Sequence, residues 1–467
     1  MTGRSAFHIR RWTLNVRCLP AFGGARGDQG SMFKLLRLKL RLNLHIMFKF
    51  IHAADIHLDS PLHKLDYYEG APKDEIRQAT RRAFNNLVQT AIAEAVSFIL
   101  IAGDLYDGDW KDYNTGLYLV SQMSKLRQAG ISVYMVAGNH DAASKITKTL
   151  RLPENVHVFP SNKPATHTLD RLKVAIHGQS FATPAIKKDL SLVYPTPLPG
   201  YFNTGVLHTC ASGREGHEPY APCTVEGLRS KGYDYWALGH VHQYEILSHD
   251  PWLVFSGNIQ GRHVRETGPK GCVLVTVDDR GCPEIEFKPL DVIRWEIVTV
   301  DSNGAESGYT VMDRFCNRLE TLLDENEDWP LVVRVLIQGE TPAHRDLLAN
   351  IDRWSNEIRA AALDTSGHRV WVEKIKFHTR LPSSEKDLRT RDGAMGELVK
   401  LLDEFAEKPD LLRELSDELI DLEKKIPKEL KQGPDRIRFD DTKWLKSLLA
   451  QVRPMLIQGL MKKEDAQ

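Results

Sequence analysis

The sequence has no stretch of about 18 consecutive apolar residues, the length a membrane-spanning helix needs, so no membrane association is expected. Cysteine is scarce. The six residues, Cys18, Cys210, Cys223, Cys272, Cys282 and Cys316, form no CxxC pair and no regular framework. That pattern argues against a disulfide scaffold and reads as reduced thiols in a cytoplasmic protein. A GxxxxGK[ST] phosphate loop is also missing, so any ATP-driven step must come from another chain. Net charge is absent as well: 62 Lys and Arg stand against 62 Asp and Glu, which argues against a polybasic nucleic-acid binder. What is present is enough apolar residue, 42%, to exclude a wholly disordered chain. A length of 467 residues implies two or three domains.

The zero charge is a sum of unequal parts. Residues 1–46 hold nine basic residues and one acid, Asp28, a charge of +8. The remainder, with 53 basic and 61 acidic residues, carries −8. The basic leader reads as a transit peptide, as a nucleic-acid or membrane arm, or as translated upstream sequence with the working start at Met32 or Met47. The last is favoured, because a strand pattern begins directly after Met47.

From Phe48 onward, short apolar runs end in polar residues of ligand type. Phe48–Ala54 leads into Asp55 and His57, Val96–Ala102 into Gly103 and Asp104, and Ile131–Ala137 into Asn139, His140 and Asp141. Gly205–Leu207 leads into His208, and Tyr233–Leu238 into His240 and His242. Such runs read as buried strands, and helical patterns from Ile76 to Val96 and Leu117 to Gln128 separate the first of them. Strand alternating with helix predicts a layered α/β domain over 47–291, in which functional residues gather beyond the carboxyl ends of strands. Residues 292–380 read as strand, helix, strand, helix, strand, a small α+β domain with helices at Val311–Leu323 and Ala343–Leu363. Residues 381–467 read as a charged helical tail, broken by Pro427 and Pro434 before a last amphipathic helix at Trp444–Leu460.

A lone DxH or HxH carries little information, and most of the 18 histidines must belong to the surface or the core. Five clusters in succession, each at a strand end, need a shared cause. Imidazole and carboxylate donors without thiolates suit Mn, Fe or Zn in a reactive site rather than a structural zinc site. Two divalent ions about 3.5–4 Å apart clamp the attacking and leaving oxygens of a phosphoryl displacement, and a shared Asp would bridge them.

The order DxH, GDxxD, GNHD, a lone His and GHxH resembles the calcineurin-like metallophosphoesterases. Phe50–Leu58, Gly103–Asp107 and Gly138–Asp141 are similar to the SbcD-type DNA repair exonucleases. Ser256–Arg262 and Glu266–Gly271 resemble the YhaO branch of that family. The resemblance spans about residues 47–290 and implies a β-sandwich flanked by helices, with 292–380 as a capping, DNA-contacting domain. It places one metal on Asp55, His57, Asp104 and His242, and a second on Asp104, Asn139, His208 and His240. His140 would then meet the phosphate and protonate the leaving oxygen, oriented by Asp141. His52 reads equally as a core histidine or as a residue supporting the ligands, and Asp107 as a supporting carboxylate or part of the turn. Arg262 and His263 read as residues of the substrate cleft or of an exposed loop, the loop being slightly favoured. His177 matches no ligand motif.

Gly108 and Asp109 after Asp107, and Asp141 after His140, disfavour the serine/threonine phosphatase branch, which has GDxxDRG and GNHE. The resemblance implies DNA as substrate, two divalent ions (Mn, with Fe or Zn as alternatives) and an SbcC- or YhaN-like ATPase docked on the tail. A homodimer is a further expectation. The competing readings are a partner-binding scaffold with weak activity and a phosphodiesterase for small nucleotides.

Overall fold

A computed structural model describes residues 47–60, 73–107, 113–143, 151–211, 220–327, 329–382, 394–426 and 436–464. The basic leader, Pro427 and Pro434 lie outside the described residues.

The first layer follows from five-residue apolar runs that are buried on both faces, as parallel strands between two layers must be. Strands β1 (Phe48–Ala53), β2 (Phe98–Ala102) and β3 (Ser132–Val136) are parallel, with crossover helices α1 (Lys73–Ala93) and α2 (Tyr113–Gln128) between them. After a short helix α3 (Asn139–Ala143), β4 (Val156–Val158) extends the sheet in parallel. On its other side, β11 (Gly271–Val277) pairs antiparallel with β1, and β12 (Pro283–Pro289) with β11, giving the order β12-β11-β1-β2-β3-β4. Within β2, Ile99 and Ile101 face the helices, while Phe98, Leu100 and Ala102 face the second sheet.

That second sheet has the order β5-β6-β7-β8-β10-β9. Its strands are β5 (Ala165–Leu169), β6 (Val174–Gly178), β7 (Phe202–His208), β8 (Tyr235–Gly239), β9 (Glu245–His249) and β10 (Trp252–Phe255), with a short helix α4 (Val225–Ser230) before β8. The four central strands are parallel and the two edge strands antiparallel. Aromatic rings fill the space between the sheets: Phe50 stacks on Phe98 at 4.9 Å and meets Tyr235 edge-on at 5.3 Å.

The third sheet is parallel: β13 (Arg294–Asp301), β14 (Leu331–Glu340) and β15 (Val370–Arg380). Helix α5 (Gly308–Glu325), capped by Ser307, forms the first crossover. The second, expected as one helix, is two, α6 (His344–Ala349) and α7 (Ile351–Ser366). Asn350 leaves helical geometry between them and donates to Asp346 Oδ1 at 2.7 Å, so its own side chain competes with the helix ladder. The face of this sheet turned from its helices meets the first layers through Trp295, Val332, Val264 and Ala79. The tail consists of α8 (Ala394–Glu407), α9 (Pro409–Glu418), α10 (Ile420–Lys425) and α11 (Thr442–Glu464). Among the described residues no helix is long and apolar enough to cross a membrane.

Candidate metal centre

The carboxyl ends of β1, β2, β3, β7 and β8 converge, and the pairing of β1 with β2 continues past both ends. Asp55 N donates to Gly103 O at 3.0 Å, His57 N to Asp104 O at 3.0 Å and Leu58 N to Leu105 O at 2.9 Å. The exits are tight. Asp55, His57, Asp104 and His240 all have positive φ, a conformation tolerated by Asp and His better than by most side chains. Gly138 is required by lack of space: a Cβ there would lie 2.3 Å from Asp104 Oδ1.

Three overlapping groups of donor atoms result: Asp55, His57 and His242; His57, Asp104 and His140; Asp104, His208 and His240. Asp104 and His57 are each shared between two groups. Asn139 joins the third, its Oδ1 2.9 Å from His208 Nε2.

The proton inventory shows that this donor set fits cations. His208 Nδ1 donates to the carbonyl of Ala102 at 2.9 Å, and burial lowers its pKa to about 3, so the ring is neutral and Nε2 presents a lone pair. That lone pair faces Asn139 Oδ1 and, at 3.4 Å, Asp104 Oδ2. His242 Nδ1 donates to Glu266 Oε1 at 2.6 Å, which turns Nε2 inward, 3.3 Å from His57 Nε2 and 3.7 Å from Asp55 Oδ1. Burial holds His57 well below the usual imidazole range, so it too is neutral. Acceptors gathered without protons between them need a positive charge to offset their repulsion. The same deficit pushes the acids up: Asp55 through burial and then the charge of Asp104, and Asp104 through burial, to about 6.

Several expectations need correction. His140 is not oriented by Asp141. Its Nδ1 lies 2.9 Å from Asp107 Oδ1, and its backbone N donates to Asp104 Oδ1 at 3.0 Å. Asp141 is buried beneath the loops, accepting from Gly138 N at 3.0 Å, Tyr106 N at 3.0 Å and Leu105 N at 3.2 Å. The reason is geometric: His140 and Asp141 are consecutive on α3, and consecutive helical side chains do not face one another. Asp107 instead holds a carboxylate toward His140; burial, the largest single influence, would raise its pKa, but the polar contacts from His140, His57 and Ser60 together outweigh it and lower it. The bond between Asp107 and His140 in turn raises the pKa of His140.

His52 is a core histidine. Its ring bonds to Tyr235 Oη at 3.0 Å and Leu238 O at 3.1 Å, and to no member of the donor groups. Arg262 is buried, with Nη1 donating to Ser60 Oγ at 3.3 Å, rather than lying on an exposed loop. His263 is half-buried, 3.5 Å from Glu266 Oε1. His177 bonds Thr166 and Asn203, away from the centre.

Glu266, the first residue of the Glu266–Gly271 stretch that resembles the YhaO branch, carries no ligand-type signal of its own in the sequence. It fixes His242 while accepting from Asn258 Nδ2 at 2.9 Å and Arg262 N at 2.7 Å. A carboxylate behind a ligand histidine sets the tautomer and ring orientation. Lys270 Nζ donates to His242 O at 2.9 Å from the same loop.

Two helix-flanked sheets, with His, Asp and Asn donors gathered at their strand ends, define a metal-dependent phosphoesterase. A family model of the calcineurin-like phosphoesterases matches residues 48–244, and one of the middle domain of metallophosphoesterase YhaO matches residues 295–380. The chain is 36% identical over 297 residues to metallophosphoesterase YhaO of Bacillus subtilis, covering 63% of this chain and 72% of that protein. It is 22% identical over 324 residues to the DNA double-strand break repair protein Mre11 of Sulfurisphaera tokodaii, covering 66% of this chain and 78% of that protein. Against the protein of the same name from Methanopyrus kandleri the identity is 26% over 287 residues, covering 55% and 60%. The chain belongs to the calcineurin-like metallophosphoesterases, in the YhaO family.

Proposed function

We propose that the protein is the nuclease subunit of a DNA repair complex, hydrolysing phosphodiester bonds with two divalent ions, Mn2+ foremost. The observation that carries the hydrolytic part is the pairing of a buried cluster of Asp, His and Asn donors with His140, a proton carrier at its edge whose side chain is 41% exposed. Asp55, His57 and His242 would hold one ion and Asp104, Asn139, His208 and His240 the other, with Asp104 shared. Divalent ions at such a site neutralise charge on the phosphoryl oxygens and activate water. The protein's own part is positional. Asp107 accepts the Nδ1 proton of His140, so that the protonated ring offers Nε2–H to the departing oxygen. Glu266 does the corresponding work for His242, keeping its Nε2 turned inward.

The choice of DNA rests on similarity to proteins named for double-strand break repair and on chain beyond the catalytic sandwich. An ATPase partner is supported by the tail, where Leu401, Leu422, Met455 and Leu456 are exposed. With a body near −8, bulk counterion release contributes little to DNA binding, which suits a subunit better than a free-standing binder. The test is to incubate the Mn2+-loaded full chain with linear duplex DNA, with and without an SbcC/YhaN-like ATPase. Cleavage supports the reading. No cleavage in either case, with small nucleotide diesters hydrolysed, replaces it with the phosphodiesterase.

A further inference from the structure

Arg262 brings a buried guanidinium between two carboxylates that serve different histidines. On one side, Nη1 lies 3.7 Å from Asp107 Oδ2 and donates to Ser60 Oγ at 3.3 Å, while Ser60 Oγ itself donates to Asp107 Oδ2 at 2.7 Å. On the other side, Nη2 lies 3.6 Å from Glu266 Oε1, and the backbone N of Arg262 donates to Glu266 Oε2 at 2.7 Å. Asp107 receives His140 at 2.9 Å, and Glu266 receives His242 at 2.6 Å. One chain of contacts therefore runs from His140 through Asp107, Ser60, Arg262 and Glu266 to His242.

Both carboxylates are partly or wholly withdrawn from water, at 25% and 5% side-chain exposure. Two negative charges kept there need a shared counter-charge, and their separations from the guanidinium are too long for direct hydrogen bonds. Arg262 thus acts on them as a positive charge placed between them, in surroundings that screen it weakly. Its loop is anchored from the third sheet: Trp295 Nε1 donates to Gly261 O at 3.0 Å, and Gln260 Nε2 to Ile293 O at 2.6 Å. The guanidinium position is consequently set by the fold and needs no ligand to fix it.

We propose that Arg262 is a positioning residue that sets both histidines at once, holding Asp107 on His140 and Glu266 on His242 without touching substrate. This rests on the phosphoesterase reading of the site. The rival role is a direct clamp on phosphate, for which Nε, unpartnered among the described residues, would be the free donor.

The two roles separate experimentally in the full-length chain. Mn2+ affinity is measured by calorimetry on metal-free protein without substrate. General-acid function is read from the ratio of kcat for two diesters, one with a nitrophenolate and one with an alkoxide leaving group. Glu266→Gln is expected to weaken Mn2+ binding about 10- to 100-fold and leave the ratio near wild type. Asp107→Asn is expected to slow the alkoxide substrate on the order of 100-fold more than the nitrophenolate, with a smaller effect on affinity. Arg262→Met should show both effects, and Arg262→Lys, which restores the charge, should recover most of each. A raised KM alone in Arg262→Met, with Mn2+ affinity and the ratio unchanged, overturns the proposal in favour of the phosphate clamp. Movement of only one readout also overturns it. If Arg262→Met does not fold, Ser60→Ala must shift the ratio and spare Mn2+ affinity; an unshifted ratio refutes the link to His140. A wild-type protein that cleaves neither diester would refute the phosphoesterase reading, and the affinity readout would still judge the link from Arg262 to His242.

Discussion

Asp141 offers the sharpest contrast between sequence adjacency and spatial role. In Asp141→Ala the donors Gly138 N, Tyr106 N and Leu105 N, now bonded at 3.0, 3.0 and 3.2 Å, lose their acceptor in a buried site. An unmet buried donor costs about 1–3 kcal/mol, so three cost about 3–6 kcal/mol after some rearrangement. The native carboxyl also carries a penalty, because burial pushes its pKa up to about 6. A carboxyl raised in the folded state contributes stability that is present below its ordinary value and is lost as pH rises through about 6. At pH 5 the native carboxyl is largely protonated while the unfolded one is ionised, so about half of that penalty, roughly 1.5 kcal/mol, remains and offsets part of the alanine variant's loss. At pH 8 removal of the buried charge returns about 2–3 kcal/mol, from roughly two pKa units at 1.36 kcal/mol each. Urea unfolding of metal-free protein at the two pH values measures both numbers. Asp107→Asn serves as the reference, with a large loss of rate and a stability loss that is the same at the two pH values, because its lowered carboxyl is ionised at both. An Asp141→Ala protein as stable as wild type at pH 5, but with the leaving-group dependence of Asp107→Asn, would make Asp141 the partner of His140 and refute this reasoning.

His140→Ala should retain bound Mn2+ and lose about 100- to 10,000-fold in hydrolysis; equal loss of metal, measured by elemental analysis, would make His140 a ligand first. The bond to Asp107 raises the pKa of His140, so the proton-donating form persists above the ordinary imidazole range. The rate should therefore fall as pH rises through that raised value, and Asp107→Asn should move this alkaline limb to lower pH; an unmoved limb places the proton elsewhere. Metal removal should matter most near neutrality. Asp104, raised to about 6 by burial, and Asp55, raised by burial and by Asp104, contribute stability to the metal-free protein that is lost as pH rises above the ordinary carboxyl range, for Asp104 through about 6. The Tm difference between metal-loaded and metal-free protein should widen from pH 5 to pH 7.5, and a constant difference would show that these acids do not share a cation.

Much of the sandwich was legible because burial on both faces leaves a plain trace. Phe98–Ala102 is apolar at every position, and the Gly-Asp that follows can only belong to a sharp exit. The donor residues could be read for the same reason, since each follows such a run. What the sequence concealed were side-chain directions within short elements and contacts between distant loops. Asp141 stands next to His140 in the chain and away from it on α3, whereas Asp107 reaches it from the exit of β2. Glu266 follows His242 by 24 residues, and only the anchoring of its loop by Trp295 and Asn258 brings the two together. His52 lay inside a strand, and the Tyr235 hydroxyl that satisfies it belongs to the opposite sheet. The single helix expected before Leu363 ignored Asn350, a residue whose side chain competes with helix bonding.

The centre is also where the two sheets are joined. Asp55, His57, Asp104 and Asn139 come from the ends of β1, β2 and β3, and His208, His240 and His242 from the ends of β7 and β8. Direct bonds already cross this seam: His240 N donates to Asp55 Oδ2 at 2.9 Å, and His208 Nδ1 to Ala102 O. The seam is costly to maintain, since four residues at positive φ cost on the order of 1–3 kcal/mol each and the acids lie out of water. The aromatic packing of Phe50, Phe98 and Tyr235 directly behind it makes that arrangement tolerable, because a close-packed core does not yield to relieve local strain. The donor atoms are therefore set in place by the fold, and a cation held by them would both tie the sheets together and offset the acids. The zero net charge of the chain conceals this division: the acids of the body include those placed to hold cations, and cations held there, with Arg262 behind them, would supply a local positive field for a phosphate ester.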